Sequence, residues 1–378
     1  MRVFLFFLFS LSFSFVAFAQ QTSIDSGFTN KAEAKNLMLD SLREGKWIDY
    51  VDASNKTTND TSSPYYVLIT FKKGIPEGFL REYYKSGKLY YEVPYSKGAK
   101  NGLLKRYSEN GKLVLEIPFV EDKIDGTQKE YYETGKLKTE SVYKSGKLNG
   151  ILKKYYESGK LKDEIPYIDG KVDGIVKDYY ESGIIEWESQ YSNDKKNGIA
   201  KNNDEDGKLK SDIPYLNNQI NGIVKEYYKG GSISKESQYA NDTIYATEKE
   251  YYESGKIWFE TLYATGVKNG IAKEYFEDGK LKGEIPYTNG NRNGVQKGYF
   301  EDGRVEYIKP YQNGNAEGVE KLYSENGSLV YECPFSNNKK NGEYKSYYKS
   351  GKLWKEISFS NGVEGVTKSY DESGSEIK

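Results

Sequence analysis

Residues 150–173 read GILKKYYESGKLKDEIPYIDGKVD, and residues 174–197 read GIVKDYYESGIIEWESQYSNDKKN. Both lines open on a glycine and place a second glycine nine residues later. Working outward, the first glycine recurs every 24 residues from Gly78 to Gly222, gives way to Ala246, and resumes from Gly270 to Gly342. Gly365 arrives one residue early. The second glycine keeps the same beat from Gly87 to Gly351 and ends at Gly374. A fixed period of this length marks a repeat architecture, in which each unit stacks on its neighbours.

Within one unit, two extended runs rich in Tyr, Ile, Val and Leu flank the turn Glu157-Ser158-Gly159-Lys160. This predicts a β-hairpin. The link to the next unit carries only Gly, Asn or Asp at the position of Gly170, the residues that tolerate a left-handed backbone. The array therefore reads as hairpin after hairpin. A four-residue loop predicts Tyr156 opposite Leu161, Lys154 opposite Asp163, Lys153 opposite Glu164 and Leu152 opposite Ile165. Alternation then places Leu152, Tyr156, Leu161, Ile165 and Tyr167 on one face. Ile151, Lys153, Tyr155, Lys162, Glu164 and Pro166 fall on the other. The Lys/Glu pair recurs as Lys177 with Glu188, Lys225 with Glu236 and Lys345 with Glu356. Proline recurs at one position, from Pro94 and Pro118 to Pro334. A residue without an N–H implies a break in the ladder there.

Composition narrows the function. Histidine is absent, which excludes His-based triads, metal sites and general bases. The single cysteine, Cys333, excludes an intrachain disulfide and a thiolate zinc site. The formal net charge of −1 gives no global case for nucleic acid. Nearly every basic residue of the repeated position has an acid across the strand, so a phosphate stripe is not expected. The acids recur on every copy and form no unique pair. No glycine-rich phosphate loop follows a strand and opens a helix. Asn202 to Gly207 imitates a calcium loop only loosely and reads as a repeat turn. No enzyme, metal or cofactor is expected.

The ends differ from the array. Residues 1–19, MRVFLFFLFSLSFSFVAFA, have the form of a signal peptide with cleavage at about Ala19. The mature chain is then expected outside the cytoplasm, in the periplasm, at the surface or secreted, with no membrane segment left after cleavage. Residues 20–44 read as a linker and a short helix, KAEAKNLMLDSLRE, that caps the array. Residues 45–77 read as a degenerate repeat with an extended loop, and residues 78–378 as about thirteen regular repeats.

The spacing G-x-x-K-x-Y-Y-x-x-G-K-L-x-x-E-x-x-Y-x-x-G, seen from Gly150 to Gly170, resembles the MORN repeat, and more closely its bacterial variant of the YwqK-like type. The likeness spans residues 45–378. It implies an all-β fold: an elongated single-layer antiparallel sheet of consecutive hairpins. It also implies a scaffold for protein contact and sometimes dimerisation. Bacterial variants of this kind carry an antitoxin label, which implies binding; a signal peptide does not suit neutralising a cytoplasmic toxin. The family brings no catalytic residues.

The expected function is therefore an exported, non-catalytic scaffold for a protein partner, with a homodimer allowed. One alternative is binding of a surface or cell-wall glycan, since periodic rings stack on sugars. Another is an exported antitoxin-like immunity protein. The candidate interaction surface is Tyr84, Tyr132, Tyr156, Tyr180, Trp187, Tyr228, Tyr252, Trp258 and Trp354.

Overall fold

The hairpin turn of each repeat is closed by two backbone bonds. In the 150–173 copy the Gly159 N–H donates to the Tyr156 carbonyl at 2.8 Å, and the Tyr156 N–H donates to the Lys160 carbonyl at 2.8 Å. The link between repeats is a two-residue turn in which Asp169 (φ 50°) and Gly170 (φ 85°) are both left-handed. Such a turn matches the twist of the strands it joins. These two turns alternate along the chain and generate an antiparallel sheet of consecutive hairpins. The computed structural model describes residues 27–377; the expected signal peptide lies outside the described residues.

The register agrees with expectation for most of the hairpin. Leu152 faces Ile165, Lys153 faces Glu164 and Lys154 faces Asp163. It departs at the turn, where Tyr155, not Tyr156, faces Leu161. A β-bulge between Lys154 and Tyr155 leaves Lys162 as an extra residue on the second strand. The bulge exchanges the expected faces of Leu161 and Lys162. Leu161 lies with Tyr155, Lys153 and Glu164. The Lys162 ammonium sits 5.6 Å from the Tyr156 ring centre, on the face of Leu152 and Asp163. The same bulge recurs at Asp178/Tyr179, Glu226/Tyr227, Glu274/Tyr275 and Ser346/Tyr347.

Neighbouring hairpins share a broken ladder. Asp163 faces Asp178 and Glu164 faces Lys177; pairing then resumes only at Tyr167 opposite Val172. Pro166 sits in the gap, where no N–H is required, and its carbonyl accepts from the Asp173 N–H at 3.1 Å. Gly174 passes close by with φ 120°. A Cβ there would lie 2.9 Å from Pro166 Cγ. The glycine and proline positions of successive hairpins are thus one steric unit.

The chain divides into two compact units between Lys147 and Leu148. In the first, Trp47, Val51, Val67 and Ile69 form one buried cluster, and Phe28, Leu68 and Tyr83 form another. The strand Leu42–Val51 pairs with Tyr65–Lys72. Residues 31–44 do not form the expected capping helix. They hold one 3-10 turn, Lys31–Glu33, and then a strand, Leu37–Leu39, paired back onto Leu42, Arg43 and Glu44. Asp40 (φ 49°) and Ser41 (φ 61°) make the left-handed turn between them. Edge pairing outweighs the modest helical preference of this segment. The covering is done by Phe28, 4% exposed, and by Asn36, whose side chain accepts from the Ile48 N–H and donates to the Ile48 carbonyl.

The second unit, residues 148–377, buries a narrow line instead of a large core. The positions of Leu152 and Ile165 meet there, filled by small residues such as Ala200, Ala272, Ser189, Thr261 and Cys333. Cys333 is free and buried, and its burial pushes the thiol pKa up.

Candidate functional site

The two faces of the sheet differ in how constant they are from copy to copy. The face of Lys153, Tyr155 and Glu164 is nearly invariant. Its tyrosine hydroxyl donates to the glutamate of the preceding hairpin: Tyr179 to Glu164 at 2.8 Å, Tyr251 to Glu236 at 2.7 Å, Tyr275 to Glu260 at 2.9 Å and Tyr347 to Glu332 at 2.8 Å. Burial and the bonded carboxylate push the phenols of Tyr131, Tyr179, Tyr227, Tyr275, Tyr299 and Tyr347 up to about 12. The basic residue stands farther off, as in Lys153–Glu164 at 3.9 Å and Lys345–Glu356 at 3.4 Å. Half-exposed pairs at that distance contribute about 0.2–1 kcal/mol each. The tyrosine bonds therefore do more of the joining. This face also leaves an aliphatic residue open to solvent in most hairpins, among them Ile151, Ile175, Ile199 and Ile223.

The opposite face differs between most copies at two positions. The position of Asp163 is held by Trp187, Ser211, Lys235, Phe259, Gly283, Tyr307, Tyr331 and Lys355 in the copies that follow. The position of Lys154 is held by Asp178, Asn202, Glu226, Glu250, Glu274, Gly298, Leu322 and Ser346. These residues pair locally and in different ways. Lys154 meets Asp163 at 2.8 Å, Lys282 meets Glu274 at 2.7 Å, and Lys309 meets Glu320 at 2.5 Å. The Lys196 ammonium lies 5.0 Å from the Tyr215 ring centre and 5.3 Å from that of Trp187. Burial, followed by the Asp163 charge, raises the Asp178 carboxyl pKa.

The candidate tyrosines lie at the turn on this varied side, and the fold uses several of their hydroxyls. Tyr84 donates to the Tyr107 carbonyl at 3.2 Å, Tyr156 to Tyr179 at 2.7 Å, Tyr180 to Asn203 at 2.9 Å, Tyr228 to Tyr251 at 2.5 Å and Tyr252 to Tyr275 at 2.8 Å. Tyr132 occupies the same turn position, half-buried, and its N–H donates to Lys136. Their rings remain available for contact; their hydroxyls tie each hairpin to the next.

The three candidate tryptophans come together on one face. Trp187 stands opposite Asp178 in the ladder. Trp258 and Trp354 are the extra residues of their bulges. Trp258 packs on Tyr252 with ring centres 6.3 Å apart, and Trp354 on Tyr348 at 6.1 Å. Sequence spacing separates Trp187 from the other two by one residue, and strict alternation would send them to opposite faces. The bulge overrides that alternation.

A cleft of about 490 Å³ opens on the varied face near the end of the array. Tyr331, Tyr344, Trp354 and Phe359 wall it, with Ser346 between them. The sequence reading missed this site. Its signal was present in the Lys154 position, where long polar side chains give way to Gly298 and Ser346.

Among the described residues no group of three or more His, Cys, Asp or Glu is arranged to hold a metal ion. The Asn202–Gly207 stretch ends in an ordinary repeat turn, in which an Asp204 carboxylate oxygen accepts from the Asp206 and Lys208 N–H groups. No described helix is long and apolar enough to cross a membrane.

Two solved structures share a low similarity with the chain. One is titled "Crystal Structure of TcdB2-TccC3-Cdc42", at 10% identity and TM-score 0.15, covering 86% of this chain and 22% of that one. The other is titled "Structure of Photorhabdus luminescens Tc holotoxin pore, Mutation TccC3-D651A", at 10% identity and TM-score 0.13, covering 89% and 20%. The chain thus spans about a fifth of each, and scores this low carry no argument. No curated protein matches. The family comparison is decisive. The model described as "MORN repeat variant" matches segment after segment, from 77–97 and 100–121 through 148–169 and 172–193 to 316–337 and 340–361. The matched segments follow the hairpins described above, and the chain belongs to the MORN repeat variant family.

Proposed function

We propose that the protein is exported and acts as a non-catalytic scaffold, binding a protein partner through the varied face of its hairpins. One observation carries the reading. Copies of one unit keep the Lys153, Tyr155 and Glu164 positions nearly constant, while the Asp163 position differs between most copies and the Lys154 position varies from Asp and Asn through a run of Glu to Gly, Leu and Ser. The constant face carries the tyrosine–carboxylate bonds between hairpins, and on the other face the turn tyrosines do the same, so the Lys154 and Asp163 positions are left to differ. Repeat arrays present such surfaces to partners in many small contacts. Within the family, the two-glycine spacing favours the YwqK-like branch. Export rests on the form of residues 1–19, and N-terminal sequencing of the mature protein should begin at Gln20.

The test is site-specific crosslinking in the producing cells. A photo-crosslinker at Asp178 or Trp258 should capture one defined protein, and the same group at Lys153 or Ile175 should not. Capture of a second copy of this chain would identify the partner as itself. Equal capture from both faces, or none from either, would overturn the assignment.

A second reading is favoured by a specific observation: Trp187, Trp258 and Trp354 share a face. Ring stacking on a surface or cell-wall glycan would use them. Retention on insoluble polysaccharide that is lost on replacing all three by Ala would support that reading over the first.

A further inference from the structure

One copy breaks the pattern of the constant face. In the hairpin of residues 294–317 the position of Glu164 is held by Ile308. The junctions on either side keep the usual bond: Tyr299 donates to Glu284 at 2.8 Å, and Tyr347 donates to Glu332 at 2.8 Å. Tyr323 is the tyrosine that Ile308 leaves without a carboxylate. Its hydroxyl has no hydrogen-bond partner among the described residues, yet it is not one of the buried orphan atoms, so solvent reaches it. Tyr323 and Ile308 are both only half-buried.

The charge around this position changes with it. In the ladder Ile308 stands between Lys297 and Lys321. Lys321 still meets Glu332 at 3.5 Å. Lys297 has Glu284 across the neighbouring ladder but makes no ion pair among the described residues. In a regular copy a tyrosine hydroxyl and a lysine converge on one carboxylate, as Tyr179 and Lys153 do on Glu164. Here the tyrosine and the lysine remain and the carboxylate is gone. The second tie is missing as well. Phe300 holds the place of Tyr156, so it has no hydroxyl to give the Tyr323 carbonyl, whereas Tyr156 donates to that of Tyr179.

A cavity of about 350 Å³ opens at this junction, lined by Arg304, Val305, Ile308, Tyr323 and Gly327. Val305 and Ile308 give it an apolar wall, and no carboxylate lines it. Arg304 adds a second cation, which it shares with Asp302 of its own turn. An anion with an apolar tail complements these groups. A cationic ligand would meet Arg304 with no acid on the wall to hold it.

We propose that this cavity binds a short aliphatic carboxylate, in place of the glutamate side chain that the other copies supply. The ligand's carboxylate accepts from the Tyr323 hydroxyl and is drawn to Lys297. Its tail rests on Val305 and Ile308. Bound there, it ties the hairpin of residues 294–317 to that of residues 318–341. The volume is within the range of small-molecule sites. The site lies on the constant face, so the assignment does not depend on a protein partner for the varied one.

The probe is hexanoate, titrated onto the mature chain and followed by saturation-transfer NMR and by amide hydrogen exchange. Saturable binding is expected, with a Kd on the order of 10 mM for so small a ligand. Exchange should slow in residues 294–341 and stay unchanged in residues 148–197. I308E restores the residue of the other copies, so the hairpin keeps its fold and the variant's own carboxylate takes the site. It should weaken binding about tenfold or more, and it should slow exchange in the same two hairpins without ligand. Y323F keeps the ring and should weaken binding several-fold, and uncharged hexanamide should bind several-fold less tightly than hexanoate. Absence of saturation at concentrations well above that Kd overturns the proposal. Equal binding by I308E or Y323F, equal binding of hexanamide, and a slowing of exchange spread evenly along the array each overturn it as well.

Discussion

Replacing Gly222 by Ala tests whether the glycine beat of this array is set by backbone conformation alone or also by the preceding proline. Gly222 has φ 124°, and an added Cβ would lie 3.0 Å from Pro214 Cγ and 3.2 Å from Pro214 Cβ. Backbone strain at such a φ costs about 1–3 kcal/mol. Overpacking against the ring adds roughly 1–3 kcal/mol. The lower entropy of unfolded Ala returns about 0.4–1 kcal/mol. The net expectation is a loss of about 2–4 kcal/mol. One repeat earlier, Gly198 has φ 101° and faces Gln190, whose Cβ would lie 3.4 Å away. Gly198→Ala should then cost only about 1–2 kcal/mol. One repeat later the experiment already exists in the sequence. Ala246 stands in the glycine position with φ 60°, and the residue in the proline position is Gln238. Ala246→Gly should gain up to about 1 kcal/mol, since non-glycine residues are strained there. The assay is native-state hydrogen exchange on the three consecutive hairpins, because a long array need not unfold in one step. A double-mutant cycle adds Pro214→Gln to Gly222→Ala and should recover about 1–2 kcal/mol of coupling. Equal losses at Gly198 and Gly222, or an additive cycle, would refute the steric link between the two positions.

Further outcomes follow from the tyrosine bonds and the cap. Tyr179→Phe removes the hydroxyl bonded to Glu164 and should cost about 1–2 kcal/mol, read as faster exchange in the hairpins on either side. Tyr131, Tyr179, Tyr227, Tyr275, Tyr299 and Tyr347 have folded pKa values raised to about 12 from the usual 10. The folded state therefore keeps protons that the unfolded state loses, so this stability is complete below about pH 10 and disappears as pH rises through 12. The urea midpoint should fall between pH 9 and pH 11.5, in step with phenolate absorbance, and an unchanged midpoint would count against it. Phe28→Ala should cost roughly 3 kcal/mol at the start of the array and raise exchange in residues 42–72 while leaving residues 200–377 unchanged. Lys153→Ala should change stability by less than about 1 kcal/mol, because its partner Glu164 is 3.9 Å away and the Tyr179 hydroxyl still bonds that carboxylate.

The 24-residue beat, the left-handed link residues and the alternation of apolar and polar side chains were enough to determine the hairpin array, its antiparallel pairing, and the facing pairs Lys153–Glu164 and Leu152–Ile165. These are local properties, because a turn residue and its flanking strands act within one unit. Residues that sequence spacing assigns to opposite faces were decided by the bulge. That extra residue moves Lys162 and Leu161 across the sheet and unites Trp187, Trp258 and Trp354. Its position depends on how the strand pair closes above the turn, which side-chain period does not encode. The cap was decided the same way: Leu37–Leu39 has the composition of a helix, but an open sheet edge offers it backbone partners. Only the tertiary structure showed that the Tyr307 ring rests on the backbone of Gly298. The sequence shows a glycine there, but which ring leans over it depends on the Gln296 amide that holds the Tyr307 hydroxyl.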